Sequence, residues 1–148
     1  MQAQTNPAPS AARPELSVVI PVYNEADNLD LLISRLMPVL DRCVQSSEVI
    51  FVDDGSRDGT MEALRRLNKQ DPRIQAISFS RNFGKEIAIA AGLDQALGDG
   101  VVIMDADLQH PPETIEAFVQ EWRQGYKNIY GQRTDRQTDS PLRRLLTE

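Results

Sequence analysis

The chain has 148 residues, of which 41% are hydrophobic and 26% charged, with a formal net charge of −6. That is one domain's worth of ordinary globular sequence, long enough to bury a core. The acidic balance argues against nucleic acid as the main partner, because phosphate backbones attract basic patches, and no apolar run approaches the roughly 20 residues that span a bilayer. The single cysteine, Cys43, allows no internal disulfide and fits a reducing compartment as an inert helix residue.

Residues 1–14, mostly Ala, Pro and small polar residues, lack the apolar core of a secretory signal and read as a disordered leader. Leu16–Val22 reads as a first strand, with Pro21 near its end, where a ladder donor is dispensable. A helix is expected over about Ala26–Leu40, with Leu29, Leu32, Ile33, Leu36 and Leu40 on its inner face. Asn24 is its expected cap, and Pro38 should kink or shorten it.

Glu48–Val52 is the second expected strand, followed by the loop Asp53–Thr60 and a helix to about Lys69. Ile74–Phe79 alternates like an edge strand, and Glu86–Leu97 is a small-residue helix suited to close packing on a sheet. Val101–Met104 is a short continuous apolar run, the pattern of a strand buried on both faces. A helix over Glu113–Gln124 and a fifth short strand over Tyr126–Tyr130 are expected next. Residues 135–148 are a polar loop and the start of a helix whose Leu142–Leu146 run fits an interfacial helix or a solvated stub equally well. Strict alternation of strands and helices predicts an α/β, Rossmann-like domain over residues 15–134 with a mainly parallel sheet. Its ligand crevice should lie where the loops after strands one, two and four converge.

Those loops carry the chemistry. Asp105 and Asp107 stand at the end of the fourth strand, where paired carboxylates need cations or donors facing them. A hard divalent ion, Mg²⁺ or Mn²⁺, carrying a nucleotide's phosphates is the natural partner. Taken alone, D-x-D is a weak signal, since acids near a helix start often serve only dipole and solvation. Asp54, in the second loop, can accept from a base or a ribose hydroxyl, whereas Ser56, Asp58, Gly59 and Thr60 read as turn and capping residues. There is no P-loop and no G-x-G-x-x-G after strand one, so a glycine cradle is not the phosphate-binding device. His110, the only histidine, reads as a loop residue contacting substrate or solvent, with metal ligation the less favoured alternative. Of the basic residues Arg81, Lys85 and Arg133, each able to neutralise a diphosphate, Arg133 is favoured because it closes strand five.

Val19–Glu25, Val52–Thr60 and Asp105–Gln109 together resemble the family 2 glycosyltransferases of GT-A fold, and the resemblance runs from about Leu16 to Arg133. Within that family, Ser80–Glu86 and Leu108–Glu113 are similar to the bacterial polyprenyl-phosphate glycosyltransferases, relatives of dolichol-phosphate mannose synthase. The resemblance implies that Pro21, Tyr23, Glu25, Val52, Asp54, Asp105 and Ala106 bind the nucleotide of a UDP- or GDP-sugar. It further implies that Asp105, Asp107 and Gln109 hold the metal, and that Asp107 and Arg133 act in catalysis. The implied reaction is inverting transfer to a polyprenyl (undecaprenyl) phosphate at the cytoplasmic face of the plasma membrane, in cell-envelope glycan synthesis. That acceptor is already an anion, so no strong general base is required. Members of the family continue well past the point where this chain stops, so it is expected to be an N-terminal, donor-binding part with slow or no turnover by itself. A non-catalytic nucleotide-binding module and a glycosyltransferase with a non-lipid acceptor are the alternatives. The sequence leaves oligomeric state open.

Overall fold

The computed structural model describes residues 13–131. Strands and helices alternate: β1 Leu16–Val22, α1 Ala26–Cys43, β2 Ser47–Asp53, α2 Thr60–Gln70, β3 Ile74–Ser78, α3 Lys85–Gln95, β4 Gly100–Ile103 and α4 Thr114–Arg123. The four strands form one parallel sheet in the order β3-β2-β1-β4. Runs such as Val18-Val19-Ile20 and Val49-Ile50-Phe51-Val52 dictate central positions, because every residue in them is at most 1% exposed.

The helices divide between two faces. Leu29, Leu32, Leu36 and Leu40 of α1, Leu64 and Leu67 of α2, and Ile115 and Val119 of α4 share one core with Val18, Ile20 and Phe51. The small helix α3 covers the other face, where Ala88 packs with Ile50 and Val52. Gly92 permits that approach: a Cβ there would stand 2.3 Å from Val19 Cγ1.

The connections run outward from β1 to β2 and β3, then return across the sheet to β4 on β1's other side. The strand order therefore reverses between β1 and β4. Ligands in open parallel sheets bind at such a reversal, outside the carboxyl ends of the strands.

Four expectations need correction. Helix α1 runs through Pro38 to Cys43; the proline removes one donor, but burial of Leu36, Met37, Val39 and Leu40 around it holds the last turns. Asn24 does not cap α1. It adopts φ 54° with its side chain directed to the neighbouring loop, and Glu25 takes the cap position without a side-chain cap bond. Strand β4 is parallel but not buried on both faces. It pairs only with β1 among the described residues, and Val101 and Ile103 stand 42% and 47% exposed. Finally, Tyr126–Tyr130 forms no strand: the chain leaves α4 through a turn at Gly125 and continues without ladder bonds among the described residues.

Candidate nucleotide-binding site

The carboxyl ends of β1 and β4 open into a cleft of about 200 Å³. Pro21, Val22, Tyr23 and Glu25 line it from the β1 side, Asp54 from the end of β2, Lys85 from the start of α3, and Asp105, Ala106 and Asp107 from the end of β4. Seven of the residues singled out from sequence thus meet in one place: Pro21, Tyr23, Glu25, Asp54, Asp105, Ala106 and Asp107.

The loops around the cleft are tied to one another. Asn24 N–H donates to Ser56 Oγ at 2.8 Å, and Arg57 N–H returns a bond to Asn24 Oδ1 at 2.9 Å. Glu25 N–H donates to Thr60 Oγ1 at 3.0 Å and Ala26 N–H to Asp58 Oδ2 at 3.3 Å. The Glu25 and Ala26 amides at the start of α1 are therefore held by the loop after β2, while the Asn28 amide bonds locally to Glu25 O at 2.9 Å. The Thr60 hydroxyl donates to Asp58 and holds that carboxyl below the usual carboxylate range, with the Thr60 and Ala26 amides adding to the effect. Ser56, Asp58 and Thr60 do serve turns, as expected, and they also latch two loops together.

Asp54 is 4% exposed and its two oxygens accept Phe83 N–H at 2.7 Å and Gly84 N–H at 3.0 Å. It fixes the loop that opens α3. Gly55 supports the same loop: with φ 73°, it lies so close that a Cβ would meet Arg81 C at 2.4 Å. Lys85 follows directly and extends to Asp105, Nζ to Oδ1 2.6 Å.

Asp107 is exposed and its Oδ1 accepts Gln109 N–H at 3.0 Å, a local turn bond that leaves its other oxygen without a described partner atom in a hydrogen bond. Asp105 is half-exposed on its Lys85 pair. Among the described residues no group of three or more His, Cys, Asp or Glu stands ready to enclose a metal. The donor set still suits Mg²⁺ or Mn²⁺. Two hard carboxylates at the mouth of a cleft match ions that bind through one or two carboxylates and complete their shell with phosphate oxygens and water. A cation, the Lys85 ammonium, already faces one of the two.

The remaining expected residues stand apart. The Val52 side chain is fully buried in the core under α3 and does not line the cleft. Gln109 is exposed beyond the lining. Arg133 lies outside the described residues. His110 lines an adjoining, more apolar groove with Val101, Ile103, Phe118 and Trp122. Cys43 is half-buried, and burial together with the Glu116 charge pushes its thiol up, which suits an inert side chain. Lys85 carries more of the site than its sequence context conveyed. The available signal was its place at a helix start after a strand end.

Residues 17–148 match the model of glycosyl transferase family 2. The chain belongs to that family. It is 48% identical over 126 residues to an uncharacterised glycosyltransferase of Synechocystis, covering 85% of this chain and 40% of that protein. It is 37% identical over 134 residues to a bactoprenol glucosyl transferase of Shigella phage SfV, covering 90% of this chain and 44% of the relative. The chain thus spans about two-fifths of the length of these relatives. Among solved structures it resembles a mannosyltransferase of Pyrobaculum calidifontis in complex with GDP-Man and Mn²⁺. The TM-score is 0.57 and the identity 32%, over 72% of this chain and 31% of that one. The family membership accounts for the fold, a GT-A, Rossmann-like parallel sheet flanked by helices.

Proposed function

We propose that this chain is the donor-binding part of a metal-dependent, inverting glycosyltransferase. It would take a sugar from a UDP- or GDP-sugar to a polyprenyl phosphate, in cell-envelope glycan synthesis at the cytoplasmic face of the membrane. The observation that carries the reading is the convergence of Tyr23, Glu25, Asp54, Asp105 and Asp107 on one cleft at the strand-order reversal. The bactoprenol glucosyl transferase relative supports the acceptor class, and the GDP-Man and Mn²⁺ complex of a structural neighbour supports the donor and the ion.

In this reading the β1 wall, Pro21 to Glu25, receives the nucleoside. Glu25 offers carboxylate oxygens to ribose hydroxyls, and the half-exposed Tyr23 ring offers a face to the base. Asp105 and Asp107, joined by Gln109, would hold the divalent ion. That ion supplies charge neutralisation for the departing diphosphate. Arg133, following Gly131 in sequence, is assigned to the diphosphate or the acceptor phosphate. Transfer is a single displacement. An acceptor phosphate oxygen forms the new bond to the anomeric carbon as the bond to the nucleoside diphosphate breaks, and the electron pair leaves on the diphosphate oxygen. No proton need be removed from the acceptor, so no general base is required.

The reading is tested by calorimetric titration of UDP and GDP into the chain with and without Mn²⁺. Mn²⁺-dependent binding of one of them is expected. Absence of binding in every condition would contradict the donor-site reading.

A further inference from the structure

We propose that Lys85 is the resident counter-cation of the cleft: it holds Asp105 until a divalent ion and a diphosphate arrive, then releases the carboxylate. The inference deepens the donor-site reading above and rests on it. Lys85 is a positioning residue in this account, acting through Asp105.

Three observations combine. First, the Lys85 ammonium lies 2.6 Å from Asp105 Oδ1, across the cleft mouth from its own helix. Asp105 and Lys85 both line the cleft, so the contact is inside the site rather than on an outer surface. Second, the root of Lys85 is fixed. Asp54 binds the amides of Phe83 and Gly84, and Gly55 packs against Arg81 and Asn82. Third, its tip is exposed. The Lys85 side chain is 57% exposed and that of Asp105 is 37% exposed. Pairs of that exposure are weak and screened, so a divalent ion can displace the ammonium from the oxygen. A lysine is a flexible point charge and an effective phosphate partner, so the displaced ammonium can turn to the diphosphate entering the same cleft.

A fixed root with a labile tip has a specific consequence. Lys85 lowers the affinity of the empty cleft for a bare divalent ion and raises it for a nucleotide. The two effects have opposite signs, and a residue that merely braced the fold would not produce both.

The test compares wild type, Lys85→Met and Lys85→Arg by titration with Mn²⁺ alone, followed through its paramagnetic resonance signal, and with UDP and GDP in the absence of metal. Lys85→Met is expected to bind Mn²⁺ about two- to fivefold more tightly, the factor a single exposed ion pair provides. It should bind the nucleotide more weakly without metal, and Lys85→Arg should restore wild-type behaviour in both titrations. Unchanged or weaker Mn²⁺ affinity in Lys85→Met, including no measurable binding by either protein, would overturn the proposal. Failure of wild type to bind either nucleotide both with and without Mn²⁺ would contradict the donor-site reading instead, and the Mn²⁺ comparison would still decide the role of Lys85.

Discussion

The two ends of the parallel sheet treat their carboxylates differently. At the amino end Glu48 is 5% exposed and saturated. It accepts Ser17 Oγ–H at 2.6 Å, Leu97 N–H at 2.7 Å and Gln75 Nε2–H at 3.0 Å, while Gly98 N–H donates to Ser17 Oγ at 2.8 Å. At the carboxyl end Asp105 and Asp107 are open to solvent, with one exposed lysine and one local amide between them. A buried acid surrounded by neutral donors is finished structure, tying the turn after α3 to β1 and β2. An accessible acid pair with labile partners is a site. Asp54 stands between the two cases, buried and saturated by backbone amides yet lining the cleft.

The amino end of the sheet should show the largest effect. Glu48→Ala strands the buried Ser17 hydroxyl, at a cost on the order of 1–3 kcal/mol, and removes the part-buried bonds from Gln75 and the Leu97 amide, each worth about 1 kcal/mol. Denaturant unfolding should register a loss of about 3 kcal/mol, with nucleotide affinity per folded molecule unchanged. A loss below about 0.5 kcal/mol would show that this end of the sheet is not the clamp described. Gly55→Val should cost somewhat less, about 2 kcal/mol, because a branched side chain must adopt a positive φ against the Arg81 backbone. Here binding should fall as well, since the loop that roots Lys85 is displaced; a stable variant with wild-type nucleotide affinity would uncouple that loop from the site. The smallest effect is expected from acid. The Thr60 hydroxyl lowers the Asp58 carboxyl, so the latch contributes stability that is full above the ordinary carboxylate range and is lost as pH falls through that range to the lowered value beneath it. Thermal melts of wild type and Thr60→Val between about pH 6 and 3 should draw closer toward the acid end, the Glu25 amide's bond to Thr60 being lost in the variant at every pH. Curves that stay parallel would remove Asp58 from the acid response.

Much of this was legible in the residues themselves. The alternation of apolar runs with helical stripes predicted nine elements, of which all but the fifth strand at Tyr126–Tyr130 are present, and the D-x-D pair after the fourth apolar run lies at the cleft. What escaped depends on distance along the chain. Asp54 meets Phe83 and Gly84 across 29 and 30 positions, so a residue read as a base contact is also the brace of α3. Lys85 meets Asp105 only because α3 crosses the sheet, and its place at the start of that helix is the one local signal that sets it apart from Arg81. Strand β4 reads as doubly buried because Val101 and Ile103 are apolar, but that pattern does not say that only one strand pairs with it among the described residues. Pro38 misled for a related reason: tertiary burial outweighed one missing donor in α1.

The central claim is that the open carboxylates at the end of β4 make nucleotide binding depend on a divalent ion. The most direct measurement is the affinity for UDP and GDP with and without Mn²⁺, in wild type and in Asp107→Ala. Asp107 is exposed, so the variant should keep its stability within about 0.5 kcal/mol. Wild type should bind one nucleotide markedly more tightly with Mn²⁺, and the substitution should erase that gain. An Asp107→Ala protein that retains the full Mn²⁺ enhancement would contradict the account.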